Sequence, residues 1–296
     1  MQMILVLLPI LAPVFITAAV GYAFTRWGPG FGTDLIAKLV ANIFAPALIF
    51  STFLSSKAEV GRILLAGGAV FACILIAGAI AYALLRALKA PIRTYLPASM
   101  FPNIGNVGGP VCYFAFGDEG LAYAVAAMAA ATIGMWTLGA WISSGSLSPR
   151  RVATTPPLIA AALGVIGMFV HWHLPKWMSN SLELLGQPTF PLMLLALGAS
   201  LATMKVHKLS LSIGLGAYRV IAGTLIGLAI SEVLGLKGAL RGVVILQSGM
   251  PSAVFNYLFA QINNRRPEEV ASVIVASTLI SAAALPLLVT LVLALP

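Results

Sequence analysis

Two asparagines, Asn103 and Asn106, interrupt the otherwise apolar stretch FPNIGNVGGPVCYFAFG at residues 101–117. The stretch also contains four glycines and two prolines, the residue types that are least stable inside a helix. A helix broken here leaves backbone N–H and C=O groups unpaired. The N–H groups of a helix N-terminus attract anions, carbonyls attract cations, and a side-chain amide can donate or accept. The stretch therefore predicts a binding site for a small ion or molecule, made from backbone and amide groups.

A second stretch, LQSGMPSAVFNYLFA at residues 246–260, repeats the pattern. In both stretches an amide residue, Asn106 or Gln247, stands four residues before a proline, and a glycine stands two residues before it. If the two breaks cross, the N-termini of two half-helices point at one place and form an anion site without formal charge. The structural alternative is that the amides only cap loose backbone. The predicted site contains Asn103, Asn106, Gly108, Pro110, Gln247, Gly249, Pro251 and Asn256.

Arg219, in the sequence LGAYRVIAG, lies near the centre of a predicted membrane span. An arginine at that depth costs at least about 2.5–3.5 kcal/mol on insertion scales, so it usually faces the protein interior. Arg219 either attracts or gates an anion, or it satisfies carbonyl groups at a helix break. If its span begins later than predicted, its side chain instead reaches the interface. We include Arg219 among the candidate substrate-binding residues.

The acidic residues all fall at or near the predicted span ends. The absence of a carboxylate placed clearly at mid-membrane disfavours a proton relay of buried acids, and a sodium site would have to use carbonyls, amides and hydroxyls. His171 and His173 have no third metal ligand in the sequence, and no nucleophile motif, phosphate loop or HExxH pattern occurs. We therefore predict no enzyme, no cofactor and no metal site.

The composition indicates a membrane protein. Of 296 residues, 60% are hydrophobic and 8% are charged, whereas soluble domains contain about 25% charged residues. The net charge of +9 comes from short basic pairs between apolar runs, which is typical of cytoplasmic loops and not of nucleic-acid binding. The long apolar runs predict helices that cross a lipid bilayer rather than a β-barrel.

Ten apolar segments are long enough to cross a bilayer, which requires about 20 residues. Eleven of the 17 Lys and Arg residues fall in the loops after spans 1, 3, 5, 7 and 9, five fall on the other side, and Arg219 lies within a span. This excess places the odd-numbered loops in the cytoplasm and both termini outside it. The predicted spans are residues 3–25, 34–55, 61–85, 94–117, 119–143, 153–172, 178–203, 209–232, 239–262 and 268–295.

An internal repeat is visible at four prolines, each with Asn or Gln four residues before it. The prolines of a half are 64 residues apart in the first half and 60 in the second. Because each half, 1–147 and 148–296, holds five spans, the second enters the membrane from the opposite side, as in the inverted repeats of secondary transporters. For Pro46 and Pro191 the alternative is a simple packing kink. The four pairs are Asn42 with Pro46, Asn106 with Pro110, Gln187 with Pro191 and Gln247 with Pro251.

The motif from Pro102-Asn103 to Gly108-Gly109-Pro110 resembles that of the auxin efflux carrier family, which includes the PIN-FORMED auxin carriers. The stretch from Gln247 to Pro251 and the segment from Ser277 to Pro286 are similar to the final two spans of that family. The resemblance runs over nearly the whole chain and favours a bacterial-type member. It implies an all-α membrane fold of ten helices in two inverted five-helix repeats, with crossed, broken helices 4 and 9.

The same resemblance implies a secondary carrier of a small organic anion, such as malate, malonate or an auxin-like acid. In that family, helices 1, 2, 6 and 7 form a scaffold that dimerises, and helices 3–5 and 8–10 form a transport domain that moves like an elevator. The family's substrate-binding asparagine corresponds to Asn103, and its crossover prolines correspond to Pro110 and Pro251. We therefore expect a homodimer in a bacterial inner membrane.

The sequence departs from the family pattern in two places. Asn106 replaces the aromatic or apolar residue that is usual for the family, which changes the expected pocket. The long cytoplasmic loop of many plant members is absent, because Ser143 to Arg151 form only a short connection. The same broad fold occurs in bile acid–sodium symporters. A sodium-coupled symporter of an organic anion is therefore the alternative function, and sodium or proton coupling stays open.

Overall fold

The computed structural model of the chain describes residues 2–30, 32–145, 150, 153–204 and 209–295. Within these ranges the protein is all-helical, and its one extended pairing is an isolated antiparallel bridge between Pro102 and Ser252. The helices are α1 (Gln2–Trp27), α2 (Thr33–Leu39), α3 (Ala45–Ser55), α4 (Val60–Ala87), α5 (Ile92–Met100), α6 (Gly109–Gly134), α7 (Ala140–Ser144), α8 (Pro156–Phe169), α9 (Lys176–Gly186), α10 (Thr189–Thr203), α11 (Leu209–Val233), α12 (Gly238–Ser248), α13 (Phe255–Ile262) and α14 (Pro267–Ala294).

Seven helical segments of the described residues are long and apolar enough to cross a membrane. Many large apolar side chains on them are exposed, such as Leu5, Leu8 and Val20 of α1, as expected for helices that face lipid. The chain is therefore an integral, multi-pass membrane protein. The seven segments are Leu5–Trp27, Thr33–Ser55, Val60–Ala87, Ile104–Ser144, Lys176–Thr203, Ser210–Val233 and Pro267–Ala294.

One of the seven segments covers more than one predicted span. Ile104–Ser144 has 41 residues, which is about 60 Å of helix, or twice the hydrocarbon thickness of a bilayer. Gly117 interrupts it with a non-helical conformation (φ 62°, ψ −148°), a region that only glycine adopts readily. Gly117 lies at the end of the span predicted at residues 94–117, just before the one predicted at 119–143.

The remaining difference from ten spans comes from short helices. The residues predicted as span 94–117 begin with the nine-residue helix α5, and those of span 239–262 are divided between α12 and α13. The span predicted at 153–172 corresponds to α8, which has 14 residues. Such helices are individually shorter than a bilayer crossing, so the count of ten spans stays a prediction.

Pro46 and Pro191, the two prolines of the repeat outside the stretches at 101–117 and 246–260, each lie in the first turn of a helix. An interruption of regular α-helix precedes both. The π-helical turn Val40–Phe44 precedes α3, which carries Pro46 in its first turn. Helix α9 ends at Gly186, and α10 carries Pro191 in its first turn. Proline is tolerated there because the first N–H groups of a helix have no partner within the helix.

The helices pack into two groups. The first helix group contains α1–α3 and α8–α10: α1 packs along α10, and α3 packs on α8 and α9. The second helix group contains α4–α7 and α11–α14, with α4 against α6 and α11 against α12 and α14. The groups meet mainly where α6 and the π-helical turn Ile104–Gly108 contact α1, α3, α8 and α10.

Glycines allow the closest approach in the first helix group. A Cβ atom on Gly198 of α10 would lie 1.9 Å from the carbonyl oxygen of Ala18 on α1, and one on Gly21 would lie 2.2 Å from the carbonyl oxygen of Leu195. Backbone contact through small residues is the usual way in which membrane helices associate. The crossing of α1 and α10 therefore depends on the absence of side chains at both glycines.

Candidate functional site

The two sequence breaks meet in the structure. Helix α5 ends at Met100 and is followed by an extended segment, and α12 ends at Ser248 and is followed by non-helical residues 249–254. The two segments run antiparallel: the N–H of Asn103 donates to the carbonyl of Pro251 at 2.7 Å, and the N–H of Ala253 donates to the carbonyl of Phe101 at 3.0 Å. We call this place the crossing. Each break satisfies backbone groups of the other, as burial requires.

The first break lies at the start of its stretch, before the glycines. Phe101 is extended (φ −92°, ψ 113°) because the residue before a proline is pushed away from helical conformation. The glycine-rich residues do not unwind: Ile104–Gly108 form a π-helical turn that continues into α6, with Pro110 in its first turn. Gly249 and Pro251, by contrast, lie inside the second break.

Two helix N-termini begin at the crossing. One is the turn Ile104–Gly108 leading into α6, and the other is α13. Within the described residues, the backbone N–H groups of Gly105 and Asn106 at the first N-terminus, and of Val254 and Phe255 at the second, have no backbone acceptor. Helix N-termini carry a partial charge of about +0.5, so these groups can bind an anion.

Two helix C-termini also end at the crossing, and Arg219 covers both. Its side chain is 2% exposed. Nη1 donates to the carbonyls of Ser99 and Met100 at 3.2 and 3.0 Å, and Nη2 donates to the carbonyl of Ser248. These contacts are those of the structural alternative, in which Arg219 satisfies carbonyls at a helix break. Helix α11 comes this close to α12 because of Gly223, where a Cβ atom would lie 2.0 Å from the carbonyl oxygen of Ser248.

Arg219 also determines the electrostatics of the crossing. The ends of α5 and α12 each carry about half a negative charge, and the guanidinium contributes one positive charge against them. Because Arg219 neutralises the negative C-termini, they do not cancel the partial positive charge at the N-termini of the turn Ile104–Gly108 and of α13. An arrangement of this kind favours an anion over a cation at the N-terminal side of the crossing.

Two of the predicted amides are buried with unused hydrogen-bonding capacity. Asn103 is 4% exposed and its Nδ2 has no partner among the described residues; Gln247 is fully buried and neither polar atom of its amide has one. Gly108 brings the second amide close to the first break, because a Cβ atom there would lie 1.9 Å from Oε1 of Gln247. Buried polar atoms are nearly always paired, so this cluster is an observation that points to a ligand. The hydroxyls of Ser99 on α5 and Ser248 on α12 have no partner among the described residues either.

The other predicted residues occupy different places. Asn256 joins the breaks, because its Nδ2 donates to the carbonyl of Phe101 at 3.3 Å and to Oγ of Ser252 at 3.1 Å, while its Oδ1 is unpaired. Gly249 packs against α11, where a Cβ atom would lie 2.5 Å from Oγ1 of Thr224. Asn106 is half-buried and makes no side-chain hydrogen bond with another described residue.

Sequence reasoning missed several residues at the crossing. Ser277 of α14 accepts the N–H of Ser252 on its Oγ at 3.0 Å. An apolar wall faces the glycine-rich turn from the other side: a Cβ atom on Gly109 would lie 2.7 Å from the Phe190 ring, and one on Gly105 would lie 2.8 Å from the terminal methyl of Met193. No local pattern marks these residues, since their contacts join distant parts of the chain.

The described residues contain no cluster of three His, Cys, Asp or Glu side chains that could hold a metal ion. The site they do form has amide and N–H donors on one side and apolar side chains, Phe190 and Met193, on the other. This arrangement suits a molecule that has an anionic end and an apolar body.

Comparison with known proteins gives a family and three relatives. The family model described as membrane transport protein matches residues 6–152 and 140–289. An uncharacterised transporter of Methanothermobacter thermautotrophicus is 30% identical over 261 residues, covering 84% of this chain and 86% of the relative. One of Methanocaldococcus jannaschii is 27% identical over 264 residues, covering 83% and 85%. Auxin efflux carrier component 8 of Arabidopsis thaliana is 25% identical over 139 residues, covering 45% of this chain and 38% of the plant protein.

Proposed function

The chain belongs to the membrane transport protein family, which includes auxin efflux carriers, and we propose that it is a secondary carrier of small organic anions. The substrate class is a mono- or dicarboxylate such as malate, malonate or an auxin-like acid. One observation carries the proposal: at the crossing, Arg219 covers the two negative helix ends, while two helix N-termini and the amides of Asn103 and Gln247 keep free donors.

In the proposed complex, the substrate carboxylate accepts hydrogen bonds from Nδ2 of Asn103 and from the free N–H groups of Gly105 and Asn106. Charge-assisted bonds of this kind are about twice as strong as neutral ones. The body of the substrate lies against Phe190 and Met193. Binding without a formal charge in the first contact layer keeps affinity moderate, and a carrier must also release its substrate.

Transport requires that the site open to each side of the membrane in turn. We propose that the second helix group carries the crossing and moves as an elevator against the first helix group, which dimerises. The proposal is supported by the packing, since the turn Ile104–Gly108 and α6 form most of the contact between the groups. The apolar wall of Phe190 and Met193 belongs to the first group, so this movement would change its position relative to Asn103.

The proposed topology is ten crossings in two inverted five-helix repeats, with both termini outside the cytoplasm of a bacterial inner membrane. It is supported by the kink at Gly117, between the predicted spans 94–117 and 119–143, and by the matched breaks in α5–α6 and α12–α13. The boundary between the repeats, at residues 147 and 148, lies outside the described residues. So do Arg151, Lys205 and Lys208, which contribute to the predicted orientation.

We propose that the substrate gradient or the membrane potential drives movement. The alternative, sodium coupling, is supported by three oxygens near the crossing that have no partner in the described part of the chain, namely Oγ of Ser99, Oγ of Ser248 and Oε1 of Gln247. Sodium prefers such oxygen ligands. The two functions differ in one measurable property, which is the dependence of uptake on sodium.

Uptake into proteoliposomes tests the proposal. Radiolabelled malate, malonate and indole-acetate are supplied to vesicles containing the wild type, Asn103→Ala or Asn42→Ala, in sodium and in choline buffer. Asn42 is the matched control, because it is an exposed asparagine whose amide bonds only the carbonyl of Lys38. We expect saturable uptake that Asn103→Ala abolishes and Asn42→Ala preserves. Uptake that Asn103→Ala leaves unchanged would remove Asn103 from the site, and uptake only in sodium would favour the symporter.

A further inference from the structure

A cavity of about 410 Å³ lies away from the crossing, at the start of α5. It is lined by residues 90–94 and by residues 264–266 of the turn between α13 and α14. Three of these lining residues are arginines: Arg93, Arg265 and Arg266. In the orientation predicted from the basic loops, the cavity lies on the cytoplasmic side of the membrane.

The three arginines differ in how many of their guanidinium nitrogens are already engaged by other described residues. Arg93 is exposed and makes no hydrogen bond or ion pair with another described residue. Nε of Arg265 donates to the carbonyl of Ser143 at 3.1 Å, which leaves its two terminal nitrogens available. Nη1 of Arg266 lies 3.6 Å from Oε2 of Glu269, and that carboxylate also accepts the hydroxyl of Tyr95.

The charge of the cavity is therefore positive. Three guanidinium groups line it, and Glu269 offsets one of them at its edge. Glu268, the neighbouring carboxylate, is exposed and is not among the residues that line the cavity.

The backbone of the turn that carries Arg265 and Arg266 is unusual. Asn264 and Arg266 have positive φ angles of 50° and 46°, which are unusual for residues other than glycine.

We propose that this cavity is a binding site for a phosphate group, supplied either by the headgroup of an anionic lipid or by a free phosphorylated molecule. Guanidinium groups form paired, charge-assisted bonds to phosphate oxygens, and basic pockets at the cytoplasmic ends of membrane helices bind anionic headgroups. Helix α5 connects this cavity to the crossing over nine residues, or about 13 Å. An occupant would therefore contact the same helix whose other end Arg219 holds.

Thermal unfolding of the purified full-length protein in neutral detergent tests the proposal, with the intrinsic fluorescence of its five tryptophans as the signal. The probes are phosphatidylglycerol, phosphatidylcholine, glycerol 3-phosphate and inorganic phosphate, each titrated without transport substrate. The variants are Arg93→Gln, the double variant Arg93→Gln/Arg266→Gln, and Arg86→Gln as the control. Arg86 is an exposed arginine on α4, on the same predicted side but outside the cavity.

For the wild type and Arg86→Gln we expect saturable stabilisation by at least one anionic probe (phosphatidylglycerol, glycerol 3-phosphate or inorganic phosphate) and none by the zwitterionic phosphatidylcholine. Arg93→Gln should raise the half-saturating concentration by about tenfold, the loss of one charge-assisted bond, and the double variant should raise it further. Stabilisation by phosphatidylglycerol alone assigns the site to lipid, and stabilisation by the soluble phosphates assigns it to a free anion. Equal stabilisation of all variants, or no stabilisation of the wild type by any of the three anionic probes, overturns the proposal. Because thermal unfolding does not involve transport, the result tests the phosphate site independently of the proposed function.

Discussion

Replacement of Arg219 by methionine is the perturbation for which the structure gives the clearest magnitude. The substitution removes the donors to three buried carbonyls, those of Ser99, Met100 and Ser248. A buried acceptor without a partner costs about 1–3 kcal/mol, so three cost about 3–9 kcal/mol. Relief of the desolvated charge offsets part of this, which places the net loss near the 3–5 kcal/mol typical of breaking a buried charged interaction. That loss is large beside a total stability of about 5–15 kcal/mol.

The assay is thermal unfolding of the detergent-purified protein. We expect Arg219→Met to lower Tm by roughly 10 °C, given about 2–4 °C per kcal/mol for a chain of this size, or to prevent purification as a monodisperse protein. Arg219→Lys keeps the charge but loses the planar set of guanidinium donors, so its Tm should lie between those of the wild type and Arg219→Met. Arg86→Met, on the exposed surface of α4, serves as the control. If Arg219→Met unfolds within about 2 °C of the wild type, the hydrogen bonds from Arg219 to the three carbonyls do not stabilise the protein and this reasoning is wrong.

Three further substitutions test the packing at the crossing and in the first helix group. Gly108→Ala would place a Cβ atom 1.9 Å from Oε1 of Gln247, so uptake should fall at least tenfold; wild-type kinetics would show that this contact is unimportant. Gly198→Ala would place a Cβ atom 1.9 Å from the carbonyl oxygen of Ala18, so Tm should fall by several degrees, and an unchanged Tm would contradict close packing of α1 on α10. Ser277→Ala removes the acceptor of a buried backbone N–H at the crossing and should cost about 1–3 kcal/mol, measured as a loss of Tm that Ser277→Thr largely restores.

The sequence is informative about the presence of breaks and less so about their contacts. Glycine, proline and amide residues indicate where two helices are interrupted, because these preferences are local. The first break lies at Phe101–Asn103, because Pro102 pushes the residue before it out of helical conformation, whereas the following glycines and Pro110 stay helical. In the structure the glycines instead allow side chains such as Gln247 and Met193 to approach the turn.

The roles of Arg219 and of the apolar wall could not be decided from the sequence. A central arginine is compatible with an anion site or with carbonyl contacts, and only the position of α11 beside Met100 and Ser248 distinguishes them. Phe190 directly precedes Pro191 in the first turn of the apolar helix α10, a setting that also fits an ordinary packing residue, and its contact with Gly109 depends on how the two helix groups meet. Long-range contacts of this kind leave no periodic signal in one sequence.

The central claim is that an organic anion binds beside Asn103, and the substitution Asn103→Asp tests it most directly. It changes the shape of the side chain very little and places a negative charge where the substrate carboxylate is proposed to lie, which repels an anion. Equilibrium binding of radiolabelled malate, malonate and indole-acetate to the purified protein at pH 7 is measured beside Tm. We predict that Asn103→Asp loses binding by at least tenfold while keeping a Tm close to that of the wild type. Wild-type affinity in a folded Asn103→Asp protein would contradict the claim.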